Sequence, residues 1–95
     1  MEDQKTIRKE LEELIKKYKL ADKFTADDAI GWINDENEPD AIKANREYQD
    51  KWIKYFTKVE SMDELNRVLQ IFTNAWNYFP HKSLGGKSPV QMAKF

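Results

Sequence analysis

Residues 61–80, Ser61 to Pro80, read SMDELNRVLQIFTNAWNYFP, and the fold class turns on them. Ser61 and Glu64 have the spacing of a capping box, in which the hydroxyl takes the backbone N–H three residues on and the carboxylate reaches back to the cap. After that start, Leu65, Val68, Leu69, Phe72, Ala75, Trp76 and Phe79 recur at intervals of three and four, the period of one helical face. Pro80 closes the segment, because its ring pushes the preceding residue out of the α region. The stretch is therefore a helix with both ends marked, and Trp76, on the same stripe, is expected to be buried.

Working back toward the N-terminus, the same period recurs. Residues 34–61, NDENEPDAIKANREYQDKWIKYFTKVES, place Pro39 in a helical first turn, where a missing N–H costs nothing. Ala41, Tyr48, Trp52, Tyr55 and Val59 then form a stripe flanked by Ile42 and Phe56, with Asn45 as its one polar member. Thr25 and Asp28 approximate another capping box and start a short helix from Ala26 to about Asn34. Ala29, Ile30 and Ile33 point inward on it, with Trp32 at the margin and Phe24 as a staple before the cap. The first helix is expected from Asp3 or Thr6 to Leu20, burying Ile7, Leu11, Leu14, Ile15 and Tyr18. On its outer face Glu12 with Lys16, and Glu13 with Lys17, are spaced as stabilising pairs. No segment alternates as a strand does. The prediction is an all-α single domain over residues 1–95: a small bundle of three longer helices and a shorter one.

Composition narrows the function. Lys and Arg total 16 against 17 Asp and Glu, so there is no net field to gather nucleic acid or an anionic membrane. Cysteine is absent, which removes disulfides, thiolate nucleophiles and sulfur ligands for zinc, and fits a reducing compartment. No stretch has the length of a membrane span, and the charged N-terminus lacks the apolar core of a secretion signal. A cytoplasmic, prokaryotic setting without a membrane partner is expected. Residues 35–40 invite a calcium-loop reading, but Asp40 and Arg46 stand where that loop needs Gly and Glu, so a solvated loop is expected there. Gly85-Gly86-Lys87-Ser88 lacks the leading glycine and the strand of a phosphate loop. His81, the single histidine, has no sequence-evident nucleophile to activate. No metal, no cofactor and no enzymatic activity are expected.

One basic stripe stands out: Lys51, Lys54 and Lys58 beside Tyr55, with Lys82 and Lys87 in the tail. Together with His81 they are the candidate interaction surface, since lysines interleaved with an aromatic can follow a phosphate backbone.

The tail itself, Phe79–Phe95, breaks the helical pattern with Pro80, Gly85, Gly86 and Pro89. Asn77, Pro80, His81, Leu84, Gly85, Gly86, Ser88 and Pro89 stand in an order that resembles the N-x-x-R-P-H-x-x-L-G-G-x-T-P ending of the catalytic domain in DDE-type transposases and retroviral-like integrases. Phe79 replaces the family's Arg and Ser88 its Thr, and the family's sheet and metal-binding carboxylates have no counterpart upstream. The resemblance implies a remnant of a mobile element without the family's chemistry. The residues also have a plain mechanical reading: Pro80 stops the helix, the glycines allow positive φ, and Ser88-Pro89 restarts a helical turn. On that reading the tail is a clasp that turns Leu84, Val90, Met92 and Phe95 back onto Phe72, Trp76 and Phe79, and His81→Ala is expected to change stability little. The function expected is a non-enzymatic domain that binds another protein, or itself, through an aromatic-rich surface. A nucleic-acid-binding accessory of a mobile element is the alternative.

Overall fold

The computed structural model describes residues 3–57 and 59–92, and it is all-α. Its elements are α1 (Gln4–Lys17), α2 (Ala26–Asp35), α3 (Ala41–Ile53), α4 (Met62–Tyr78) and a single-turn α5 (Pro89–Met92), with 3₁₀ turns at Lys54–Phe56 and Lys82–Leu84. Among the described residues there is no strand, and no helix is long and apolar enough to cross a membrane.

Each long helix starts where a side chain satisfies a free backbone N–H. The Asp3 carboxylate accepts from Thr6 N–H at 2.7 Å, and that backbone bond, joined by the Thr6 side chain, holds the Asp3 carboxyl below its ordinary value. Thr25 and Asp28 form the reciprocal box: Thr25 Oγ1 accepts from Asp28 N–H at 3.1 Å and Asp28 Oδ2 from Thr25 N–H at 2.9 Å. Asp40 caps α3 through Ile42 N–H and Lys43 N–H, so Pro39 precedes the cap instead of occupying the first turn. Ser61 Oγ accepts from Glu64 N–H at 3.1 Å, while the Glu64 carboxylate receives the Tyr18 hydroxyl at 3.2 Å and lies 3.6 Å from the Lys17 ammonium. That diversion locks the start of α4 to the end of α1.

α1 stops earlier than Leu20. Lys19 adopts φ 57°, Lys19 N–H bonds Lys16 C=O and Leu20 N–H bonds Ile15 C=O, the paired bonds of a left-handed helix cap. Leu20 is the buried hydrophobe that such a cap folds inward.

The helices close around Ile7, Leu11, Leu14 and Ile15 of α1, Ala29 and Ile33 of α2, and Val68, Ile71, Phe72 and Ala75 of α4. α3 contributes Ala44, Tyr48 and Trp52, and the 3₁₀ turn that follows winds tightly enough to bring in Phe56 instead of Tyr55. Ala41 is exposed and Ile42 is 75% exposed, so the first turn of α3 adds nothing to the core. Phe72 is the centre of the aromatic core. Trp52 stacks on it at 4.2 Å and 11°, Phe56 meets it edge-on, and Phe24 and Tyr48 flank it. The Tyr48 hydroxyl donates to Phe72 C=O at 2.8 Å, and burial pushes its pKa well above the ordinary tyrosine value.

Candidate functional site

The end of α4 poses a hydrogen-bonding problem that the tail solves. Trp76 C=O would normally accept from the N–H of residue 80, and Pro80 has none. His81 Nε2 stands 2.7 Å from that oxygen and donates to it, so this nitrogen carries the proton. The Tyr78 carbonyl is taken by Gln4 Nε2 at 2.9 Å. The imidazole also meets the Trp76 ring edge-on at 4.5 Å and is only 3% exposed. His81 is therefore almost wholly buried, with its ring committed to the end of α4.

The rest of the tail is built on His81. Its N–H donates to Lys87 C=O at 3.0 Å, and its C=O accepts from Leu84 N–H and Gly86 N–H. The reversal needs Gly85 at φ 68° and Gly86 at φ 82°, where a side chain would be strained. Ser88 and Gln91 then form a reciprocal capping box, with Ser88 Oγ accepting from Gln91 N–H and Gln91 Oε1 from Ser88 N–H. The tail folds back as expected, its 3₁₀ turn against α2 and α5 against α4. Its buried residues, however, are His81 and Ser88. Leu84 and Val90 are half-buried, Met92 is 51% exposed, and Phe95 lies outside the described residues.

Between the tail and the residues that lead into α3 is a cleft of about 670 Å³. Asn37, Pro39, Ala41 and Ala44 line one side, Ser83, Leu84, Pro89 and Met92 the other, and Trp76 and His81 lie between them. Trp76 is therefore half-buried, a correction to its expected place in the core. It leans on Tyr48 at 5.0 Å and presents its remaining surface to the cleft.

Glu36 and Glu38 are the charged residues of this lining among the described residues. Glu36, just after α2, is 6% exposed, and its Oε1 accepts from Glu38 N–H at 3.0 Å. Glu38 Oε1 in turn accepts from Asp40 N–H at 3.1 Å. Glu47 of α3 joins them. Its carboxyl is raised above the ordinary value first by a hydrogen bond with Glu36, then by the charges of Glu36 and Glu38, against the pull of Lys51. The expected solvated loop is thus a wall with one carboxylate folded inward. Nothing in the sequence marks Glu36, whose burial depends on packing against α3 and the tail.

The candidate lysines fall into two separate groups. Lys51 and Lys54 are exposed, with the Lys54 ammonium 5.3 Å from the Tyr55 ring centre, and Tyr55 is half-buried against Phe24. Lys82 and Lys87 are exposed on the tail. Ala44, where α3 meets the cleft, precedes Lys51 and Lys54 by two to three turns, about 10–15 Å along the axis. Lys58 lies outside the described residues.

A second hollow, about 310 Å³ between α1 and α4, holds Glu10, Lys17, Glu64 and Arg67. Both of its cations are paired, Arg67 with Glu10 at 3.2 Å and Lys17 with Glu64 at 3.6 Å, and Glu13 and Asp63 also line it. It contains no apolar surface comparable with that of the larger cleft. Among the described residues no group of His, Asp and Glu is placed to hold a metal ion. Compared with protein-family models, curated proteins and solved structures, the chain matches none of them.

Proposed function

We propose that this chain is a non-enzymatic protein-interaction domain and that it binds a segment of another protein in the cleft between the tail and the start of α3. The observation that carries the reading is the apolar character of that cleft together with what surrounds it. Met92, on its lining, remains 51% exposed. A large apolar side chain left in water on a concave apolar surface is typical of contact sites. The aromatic surplus that suggested a binding face is mostly absorbed by the core, and Trp76 is the ring that reaches the cleft, where it can anchor a partner. His81 supports a structural role, since its Nε2–H is committed to a backbone carbonyl.

The test is selection of random displayed peptides on the full chain, with counter-selection on the double variant Ala41→Arg, Met92→Glu. Both positions are exposed, so the fold should survive, and dispersed amide resonances would verify it. Peptides that bind the natural chain and lose binding to the variant are expected. Peptides indifferent to the variant, or none at all, would overturn the proposal.

A further inference from the structure

We infer that the partner segment carries an apolar side chain close to a lysine or arginine, the first entering the cleft and the second meeting Glu36 and Glu38. The inference rests on the cleft being a protein-binding face, and it adds the chemistry of what binds.

The cleft has two unlike parts. Pro39, Ala41, Leu84 and Met92 give it apolar walls, whereas its charge is entirely negative among the described residues. Glu36 is held nearly out of water with its carboxylate fixed by a backbone N–H, so it is not free to turn away from an approaching ligand. Glu38 is fixed in the same manner by Asp40 N–H. Glu47 adds a third carboxyl beside them, opposed by Lys51. A cation placed beside three clustered carboxyls is favoured there, most strongly next to Glu36, which is nearly out of water. An anionic occupant would meet the opposite effect. A small amine could satisfy the carboxylates but would leave Met92 and the half-buried Leu84 in water. An extended peptide can cover these residues while its basic side chain reaches Glu36 and Glu38.

The experiment takes the peptides selected above and measures their affinity for the full chain by calorimetry, at low and high NaCl. Each is compared with a version whose Lys or Arg is replaced by Gln, on the natural protein and on the Glu36→Gln, Glu38→Gln variant. Glutamine keeps the oxygens that accept from Glu38 N–H and Asp40 N–H, so the wall is preserved while its charge is removed. The expected results are enrichment of apolar–basic peptides, a loss of about three- to tenfold on either neutralisation, little further loss when both are combined, and weakening with salt. Peptides that depend on the cleft but lack a cation, or bind the neutralised variant equally well, would overturn this inference and leave the interaction reading standing. Failure to find any cleft-dependent peptide would overturn both. Dimerisation of the chain abolished by Ala41→Arg and Met92→Glu would make a second copy the occupant and overturn the inference as well.

Discussion

Replacing His81 with Ala should be among the most damaging single changes outside the apolar core. The change removes the donor 2.7 Å from Trp76 C=O, and Pro80 ensures that the backbone offers no replacement. A carbonyl left without its partner costs up to about 1–3 kcal/mol, less where water can reach it, and this one is part-buried. The imidazole is 3% exposed and packs against the Trp76 ring, so its loss also opens a small cavity. Together the loss should reach roughly 2–4 kcal/mol, a large part of the stability of a domain this size. Urea unfolding followed by far-UV ellipticity measures it directly, and a midpoint lowered by more than about 1 M is expected. His81→Phe separates the two contributions. It restores a ring of similar breadth without a donor, and should still lose about 1–3 kcal/mol for the stranded carbonyl. If His81→Ala unfolds at the natural midpoint, or His81→Phe is as stable as the natural chain, the carbonyl does not need this donor and the account of the tail is wrong.

The Tyr48 hydroxyl, buried and with its pKa raised, favours the folded state fully below the ordinary tyrosine pKa, and that contribution is lost as pH rises through the folded value. Absorbance titration should show Tyr48 ionising only together with alkaline unfolding, and Tyr48→Phe should cost about 0.5–1.5 kcal/mol at neutral pH. Glu47, also raised, favours folding below the ordinary glutamate range and loses that contribution as pH rises through its folded value, so Glu47→Gln should be more stable than the natural chain near neutrality, with the gap closing on acidification. Parallel melts across pH would check this. Lys19→Gly should stabilise the protein by up to about 1 kcal/mol, since glycine adopts φ 57° without the strain of a side chain, and a lowered melting temperature would contradict it.

Helix starts were the most legible part of this chain, because Thr25, Asp28 and Ser61 act through neighbours three residues away and such local chemistry is written in order. The end of α1 was hidden for the opposite reason: its left-handed cap uses Lys19, where the usual signal is glycine. The middle of the α3 stripe, Tyr48 and Trp52, is legible, but its two ends are not: Pro39 and Asp40 both suit a helix start and only packing shows that Asp40 caps it, and the 3₁₀ turn brings in Phe56 instead of Tyr55. In the tail, Pro80, the glycines and Ser88-Pro89 announced each turn correctly, yet the burial of His81 was missed although Pro80 implied it: a proline four residues after Trp76 strands that carbonyl. The cleft could not be read at all. Its two walls lie some forty residues apart in the chain, and the carboxylates of Glu36 and Glu38 look like ordinary loop charges until the tail is placed opposite them.

The pairing of α1 with α4, the most extensive contact between helices, also governs the order of folding. Its members are separated by two other helices, so closing the contact carries a loop entropy that a chain of neighbouring hairpins would avoid. At about 5–20 residues per second of synthesis, α4 is completed some 3–12 s after the last residue of α1. Until then Ile7, Leu11, Leu14 and Ile15 lack their main cover and have only α2 to pack against, and the nascent chain presents an adhesive stripe that chaperones can recognise. Weakening the seam between these two helices should therefore slow folding, whereas damage to the tail, added last, should mainly hasten unfolding.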